Sequence, residues 1–328
     1  MKISPKRLRF DSRKAQLILS QHLDADDTVF VLRDLESRDT TQYDILFSGN
    51  LARQYIPDQP GVDPTANVYT YKMYEKTGNA KVVGPNANDL PRAGVQAGER
   101  SINVKQIPAE FGWTVREIQQ ARKVGVPLDD MSQQAAKRMI DFEQDDMLAN
   151  GDSTLGIVGL YNIAGVNSFV ATDKGGGAKD WTTAADPKLM LADINTLVKS
   201  TRAQLKQAGD QSVMFPKFRV ILSSNDYGVG IDTPRSDNSD TTILTYAKQN
   251  NPWIEDIYEW WRGDTAIAGA SAMVCFPPDP AALAGIVPVE MQMLPPQFSG
   301  MNINIPCYGS CGGIVCRYAV AVGYMATH

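Results

Sequence analysis

The sequence predicts an α+β chain made of an extended β-hairpin, one long helix and an α/β half. Three observations carry this. Residues 57–112 hold six prolines and six glycines around strand-like pieces with few large apolar side chains. Residues 114–150 switch to helical periodicity behind start signals written into the sequence. From residue 186 onward, helix-like and strand-like stretches alternate to the end.

The chain has 328 residues, 43% of them hydrophobic, enough for one or two ordinary cores. Its formal net charge of −5 argues against a dedicated nucleic-acid binder, which needs a basic surplus to neutralise phosphates. The first twenty residues run against that balance, with Lys2, Lys6, Arg7, Arg9, Arg13 and Lys14 against Asp11 alone. They read either as an arm that touches nucleic acid or an acidic neighbour, or as a solvated terminus. The only early apolar run, Leu17–Leu19, is too short for a secretory signal, and no stretch reaches membrane-spanning length. A soluble chain made in cytoplasm is expected. Cys307, Cys311 and Cys316 stand at a spacing that suits no zinc site, so these three and Cys275 are expected as free thiols buried in strands.

In chain order, a helix is expected around Ser12–Leu23, and Thr28–Leu35 fits helix or strand. Strand-like pieces lie at 67–78, 79–83 and 101–107, the first two joined as a hairpin by Thr77-Gly78-Asn79. So little apolar surface does not offset the entropy of ordering a long hairpin, so it should project and find its partner surface on a neighbouring subunit. Thr114 and Glu117 form a capping box for a helix ending near Gly125. Pro127 with Asp129 or Asp130 opens a longer helix, capped by Gly151, whose stripe Met131, Ala135, Met139 and Phe142 should face a core. After a low-complexity loop at 173–181, Asp186 and Pro187 start a helix with buried Met190, Ile194, Leu197, Thr201 and Leu205, ended by Gly209. Residues 217–223 and 265–276 read as interior strands, 241–250 as a short helix. Residues 312–324 read as a strand with Ile314, Cys316, Tyr318 and Val320 on one face.

No motif for chemistry emerges. Gly151, Gly156, Gly159 and Gly165 lack the lysine of a Walker loop and the strand and spacing of a dinucleotide fingerprint, so they read as a place where the chain turns between domains. With His22 and His328 as the only histidines, a Ser-His-Asp constellation is not expected. The pairs Asp129/Asp130 and Asp145/Asp146 are expected on a solvated helix face. Trp253, Glu255 and Glu259 are the one acidic-aromatic cluster a soluble α/β enzyme would use, with a packed aromatic corner as the plainer reading.

Several stretches, in this order, resemble the major capsid proteins of tailed bacteriophages, the Hong Kong 97-type fold shared with encapsulin shells. They are VYTYKMYEKTGNAKVVGPNANDLPRAGV (68–95), the helix pair 114–150 ending in Asn-Gly-Asp, GLYNIAGV (159–166), and LPPQFSGMNINIP followed by GGIVCRYAVAVGY. The resemblance implies an N-terminal arm at 1–64 and an extended loop at 65–107. It implies a peripheral domain at 108–164 and 284–328 with a spine helix at 128–150, and an axial domain at 165–283. It implies a structural protein, not an enzyme, that assembles with itself into pentamers and hexamers of an icosahedral shell. The shell would enclose double-stranded DNA without sequence specificity and meet portal, scaffolding or decoration proteins, assembling in the host cytoplasm and ending in the virion capsid. No catalytic, cofactor or metal residue is implied.

The extended loop of this family lies over the adjacent subunit, which makes Tyr69, Tyr71, Lys72, Tyr74, Lys81, Asp89 and Arg92 interface candidates and Gly156, Gly159 and Gly165 the domain crossing. Loops at 226–240 would sit near the symmetry axes. The family's lysine–asparagine cross-link is not carried over, since Lys72, Lys76 and Lys81 have no assignable partner. An encapsulin-type compartment holding protein cargo is the alternative within the same resemblance.

Overall fold

A computed structural model describes residues 51–327, except 79–81, 83–91, 126–127, 176, 184–185, 210–213, 237–239 and 268. The expected helix at 12–23 and the element at 28–35 lie outside the described residues, as do Lys81 and Asp89.

A short helix α1 (Ala52–Tyr55) leads into the hairpin strands β1 (Val68–Thr77) and β2 (Gly94–Asn103), then β3 (Lys105–Thr114). Helices α2 (Val115–Val124) and α3 (Leu128–Ala149) follow, then short strands β4 (Gly151–Asp152), β5 (Ile157–Val158) and β6 (Asn167–Val170). Next come α4 (Pro187–Gln207), β7 (Phe218–Leu222), α5 (Ser224–Asp232), α6 (Ile243–Asn250), β8 (Ile254–Glu259) and β9 (Ala272–Phe276). The chain closes with β10 (Leu283–Ile286), β11 (Val289–Met293), β12 (Gln297–Ser299), β13 (Asn302–Cys311), β14 (Gly313–Cys316) and β15 (Gly323–Ala326).

Two sheets organise the body. In one, β13 pairs along its full length with β3 on one side, and with β11 and β12 on the other. The other is mixed, in the order β6-β15-β9-β7-β8. Its two faces enter two different cores. Ala272, Val274 and Phe276 of β9 pack with Ile140 and Leu148 of α3, whereas Met273 and Cys275 pack with Ile194 and Leu197 of α4. Burial on both faces is why these strands read as unbroken apolar runs.

Local start and stop signals behave as written. Thr114 and Glu117 form the reciprocal capping box of α2, and Gly125 ends it in the left-handed region at φ 78°. Asp186 caps α4 with Pro187 at its first turn, and Met190, Ile194, Leu197, Thr201 and Leu205 are buried. Cys275, Cys307 and Cys311 are free and buried, and Cys316 is free and half-buried.

Four expectations need correction. First, β1 pairs residue for residue with β2, from Val68↔Asn103 to Thr77↔Gly94, so the hairpin closes through residues 78–93 and not through a tight turn into 79–83. Residues 101–107 accordingly divide between β2 and β3, which belong to different sheets.

Second, α3 buries Ala136, Ile140, Gln144, Met147 and Leu148, while Met131, Met139 and Phe142 are 48%, 65% and 46% exposed and Ala135 is exposed. The buried stripe contains a polar residue, Gln144, whose amide donates to the carbonyls of Val289 at 3.0 Å and Glu290 at 3.1 Å. A satisfied amide is at home in a core, but it breaks the hydrophobic period.

Third, 312–324 is not one strand: β14 pairs with β10, a turn of 3₁₀ helix intervenes at Ala319–Ala321, and β15 lies inside the five-stranded sheet, not among the closing strands beside β13. The interior strand expected at 265–276 likewise shortens to β9. Fourth, Asp145 is not solvated but buried.

Candidate assembly interface

The hairpin has a rooted half and a free half. Alternation along β1 turns Tyr69 and Tyr71 toward the body, where with Ile102 they pack on the small core of Val104, Ile286 and Val315. Both tyrosines are half-buried, and their rings stack at 6.3 Å between centroids. Arg317, in the link after β14, donates to the Tyr69 hydroxyl at 3.2 Å and lies 5.3 Å over the Tyr71 ring. Beyond this root, Lys72 and Tyr74 are exposed, Tyr74 by 63%, as is every residue of β2 except Ile102. Arg92 is exposed ahead of β2. The tyrosines at 69 and 71 are thus engaged within their own chain, while Lys72, Tyr74 and Arg92 are open. A two-stranded ribbon without a core of its own is marginal in water. It is a surface that gains stability only when something covers it.

A cleft of about 390 Å³ opens beneath the root, lined by Tyr71, Arg100, Ile102, Cys316 and Arg317 among others. Burial pushes the Cys316 thiol up to about 11, against the opposing pull of the two arginines. Cys316 is therefore a protonated thiol near neutral pH and no nucleophile.

The glycine stretch works as a clasp on the end of α3. Backbone amides of Leu160 and Tyr161 donate to the carbonyls of Leu148 at 2.8 Å and Ala149 at 3.0 Å, and the Asn162 amide donates to the Asn150 carbonyl at 2.6 Å. These are carbonyls that a helix end leaves without partners. Gly156 and Gly165 have φ of 69° and 80°, the left-handed region. Gly159 is required for a different reason: a Cβ there would stand 2.4 Å from the Gly151 nitrogen and 2.5 Å from the Ala149 carbonyl oxygen. On the far side, the Tyr324 hydroxyl of β15 donates to the Leu160 carbonyl and accepts from the Ile163 amide at 3.1 Å. The amides of Leu160, Tyr161 and Ile163 and the carbonyl of Leu160 all bond to protein, which is the geometry of a structural join.

Two ionic clusters hold the body. Asp145 of α3 accepts the amides of Leu51 and Ala52 at 3.0 and 2.9 Å and the Arg262 Nε at 3.0 Å. Arg262 also reaches Asp146 and lies 4.6 Å from the Phe142 ring and 4.4 Å from the Trp261 ring. In the glycine-rich loop, Lys174 meets Asp193 of α4 at 2.7 Å with both side chains fully buried. Its ammonium also donates to the carbonyls of Thr172 and Lys179, while Asp193 accepts the Trp181 indole. The sequence reading missed both. Asp145 was expected on a solvated helix face, and Lys174 stands in a loop marked only by its low complexity.

The acidic-aromatic cluster does not converge on the groove beside Trp253. Trp253 lines a groove with Leu191, Asn195, Lys199, Tyr246 and Asn251 that has no carboxylate among its described lining residues. Glu255 lies 3.7 Å from Arg219, and Tyr258 stacks on Tyr55 at 4.6 Å. Among the described residues no three His, Cys, Asp or Glu side chains gather as a metal site, and no helix is long and apolar enough to cross a membrane.

Comparison with known proteins agrees with this architecture. The family model described as "Major capsid protein" matches residues 78–327. Among solved structures, the capsid of Myoviridae phage XM1 superposes with a TM-score of 0.78 at 16% identity, covering 92% of this chain and all of that one. The capsid of the native GTA particle gives 0.64 at 12% identity, covering 89% and 94%. The virus-like particle from Pyrococcus furiosus gives 0.50 at 13%, covering 83% and 90%. At these identities the likeness is one of fold. No curated protein matches by sequence. An unsupported hairpin, a spine helix clasped at its end and a body held by structural contacts are what a shell subunit needs, and the chain belongs to the major capsid protein family, with the Hong Kong 97-type fold of tailed-phage heads.

Proposed function

We propose that copies of this chain join as pentamers and hexamers that close into an icosahedral shell around double-stranded DNA, with the hairpin of each copy lying across the next. The observation that carries the reading is the hairpin itself: ten residue pairs of β-ribbon, almost wholly exposed beyond its root, in a chain of the capsid family. Lys72, Tyr74 and Arg92 would contact the neighbour, joined by Lys81 and Asp89 of the connecting segment. Contacts of this kind are heterologous, and they close when their rotation closes. Each is modest, but many combine across a lattice.

In this reading residues 108–164 with 284–322 form the peripheral part and 165–283 the axial part, with β15 counted as axial because it lies between β6 and β9. The turn at Gly156–Gly165 is the crossing between them. A net charge of −5 suits a wall that encloses DNA without gripping it. The role is structural and not catalytic.

The test replaces residues 72–99 by an Asn-Gly turn. This joins Tyr71 to Arg100, which already face each other in register. The body should fold, its far-ultraviolet circular dichroism losing no more than the signal of the excised ribbon, and no shells should appear by negative-stain microscopy. Normal shells from this variant would refute the interface reading. Particles from the wild type should carry nucleic acid absorbance, and a co-purifying protein cargo in its place would replace this reading by an encapsulin-type compartment.

A further inference from the structure

The hairpin is a lever: among the described residues, its contacts with the body gather at its root. Tyr71 is the outermost β1 residue packed on the small core, and the cleft lies directly beneath it. From Tyr71 to Thr77 the ribbon runs on for about 20 Å at roughly 3.3 Å per residue. A tilt of about 10° at the root would carry its far end about 3.5 Å sideways by that length, more than a hydrogen bond tolerates. Something must set the take-off angle before the neighbour arrives.

From these contacts we infer that Arg317 is the positioning residue that sets this angle, and that correct assembly depends on it. It is placed to do so by three separate segments. Its backbone amide donates to the Ala282 carbonyl at 2.8 Å, and Nη1 donates to the Pro280 carbonyl at 2.6 Å. Nη2 donates to the Gln59 side chain at 2.9 Å and to the Tyr69 hydroxyl at 3.2 Å, and the guanidinium plane covers Tyr71. The lead-in that carries Gln59 is itself fastened to β10: the Gln59 amide donates to the Gly285 carbonyl and the Gly285 amide to the Pro57 carbonyl, each at 2.9 Å. Arg317 thus ties the hairpin root to the 280–282 segment and to the lead-in that is fastened to β10. Only a planar fork serves several acceptors while stacking on a ring, and a lysine in the same place is a single flexible point charge.

This rests on the proposed role of the hairpin, so the experiment separates the two. Full-length Arg317→Lys and the milder Tyr69→Phe are compared with wild type and with the 72–99 replacement. Unfolding of unassembled protein, amide exchange along Gly94–Asn103, and shell formation by sedimentation and microscopy are recorded. The point variants should unfold near the wild-type midpoint yet exchange faster in β2. They should need about tenfold or more protein before shells appear, and give a broader spread of diameters, because every lattice contact repeats the misplaced angle. If Arg317→Lys lowers the folded fraction, Tyr69→Phe decides. Wild-type threshold and diameter in the point variants, with assembly blocked in the 72–99 replacement, would overturn the positioning role alone. Normal assembly of the 72–99 replacement would remove the interface reading and this inference with it.

Discussion

Arg262 and Asp145 meet at 3.0 Å with side chains only 7% and 2% exposed, and through them the spine helix holds both the lead-in at Leu51–Ala52 and the aromatic corner at Trp261. A buried carboxylate of this kind is tolerable because three donors, one of them a guanidinium, reach its two oxygens. Asp145→Ala should leave two backbone amides without their acceptor and the guanidinium with Asp146 as its remaining carboxylate, and cost about 2–4 kcal/mol. Urea unfolding of the unassembled chain measures this, and a loss under about 1 kcal/mol would show that water replaces the carboxylate.

Lys174 and Asp193 form the second buried pair. Removing one charge strands the other, so Lys174→Met should destabilise by about 3–5 kcal/mol, whereas Lys174→Met with Asp193→Leu should recover much of that. A double-mutant cycle in which the two losses simply add would contradict the coupling.

Gly159 and Gly165 separate steric exclusion from backbone strain. Gly165 has φ 80° but open space around it, the nearest atom to an added Cβ being that of Ala319 at 3.8 Å. Gly165→Ala should cost only about 1–2 kcal/mol, and Gly165→Asn less, since asparagine accepts the left-handed region. Gly159→Ala meets three backbone atoms of residues 149–151 within 2.5 Å and should lower the yield of folded protein far more. Equal thermal midpoints for Gly159→Ala and Gly165→Ala would refute this distinction.

Asp226 gives a pH signature. It is buried at the start of α5, accepts the Thr327 hydroxyl at 2.6 Å, and burial raises its pKa from the ordinary 3.8 despite that bond. A raised carboxylate pKa favours the protonated form in the folded state. Its contribution is therefore full below about 3.9 and is lost as pH rises through the folded value. Asp226→Asn keeps the acceptor and removes the titration. Its stability should gain on the wild type between pH 4 and 7, as read from denaturation midpoints across that range, and parallel curves would exclude the effect.

How much of this was legible beforehand varied with distance along the chain. The capping box at Thr114 and Glu117, the Asp186-Pro187 start and the buried stripe of α4 are relations between residues one to four apart, and each stands as read. The face of α3 was misread because Gln144 occupies the buried side while Met131, Met139 and Phe142 lie outside it, a choice made by Val289 and Glu290 far along the chain. In the sequence, Arg317 is a single charge that interrupts the apolar run 312–324. That interruption was the available signal, since a charge inside a buried stretch needs partners, but nothing local says that those partners are Gln59, Tyr69 and Pro280.

The amino-acid order alone determined the kinds of element, their order, the ends of most helices and the hairpin's poverty of apolar surface, because propensity, capping and periodicity are short-range. Tertiary structure alone decided that β1 pairs with β2 across residues 78–93, that β15 joins β9 and β6, and that Lys174 and Asp145 are buried with their counter-charges. Those outcomes depend on which distant surfaces can desolvate together with every polar group satisfied, a condition no local window contains.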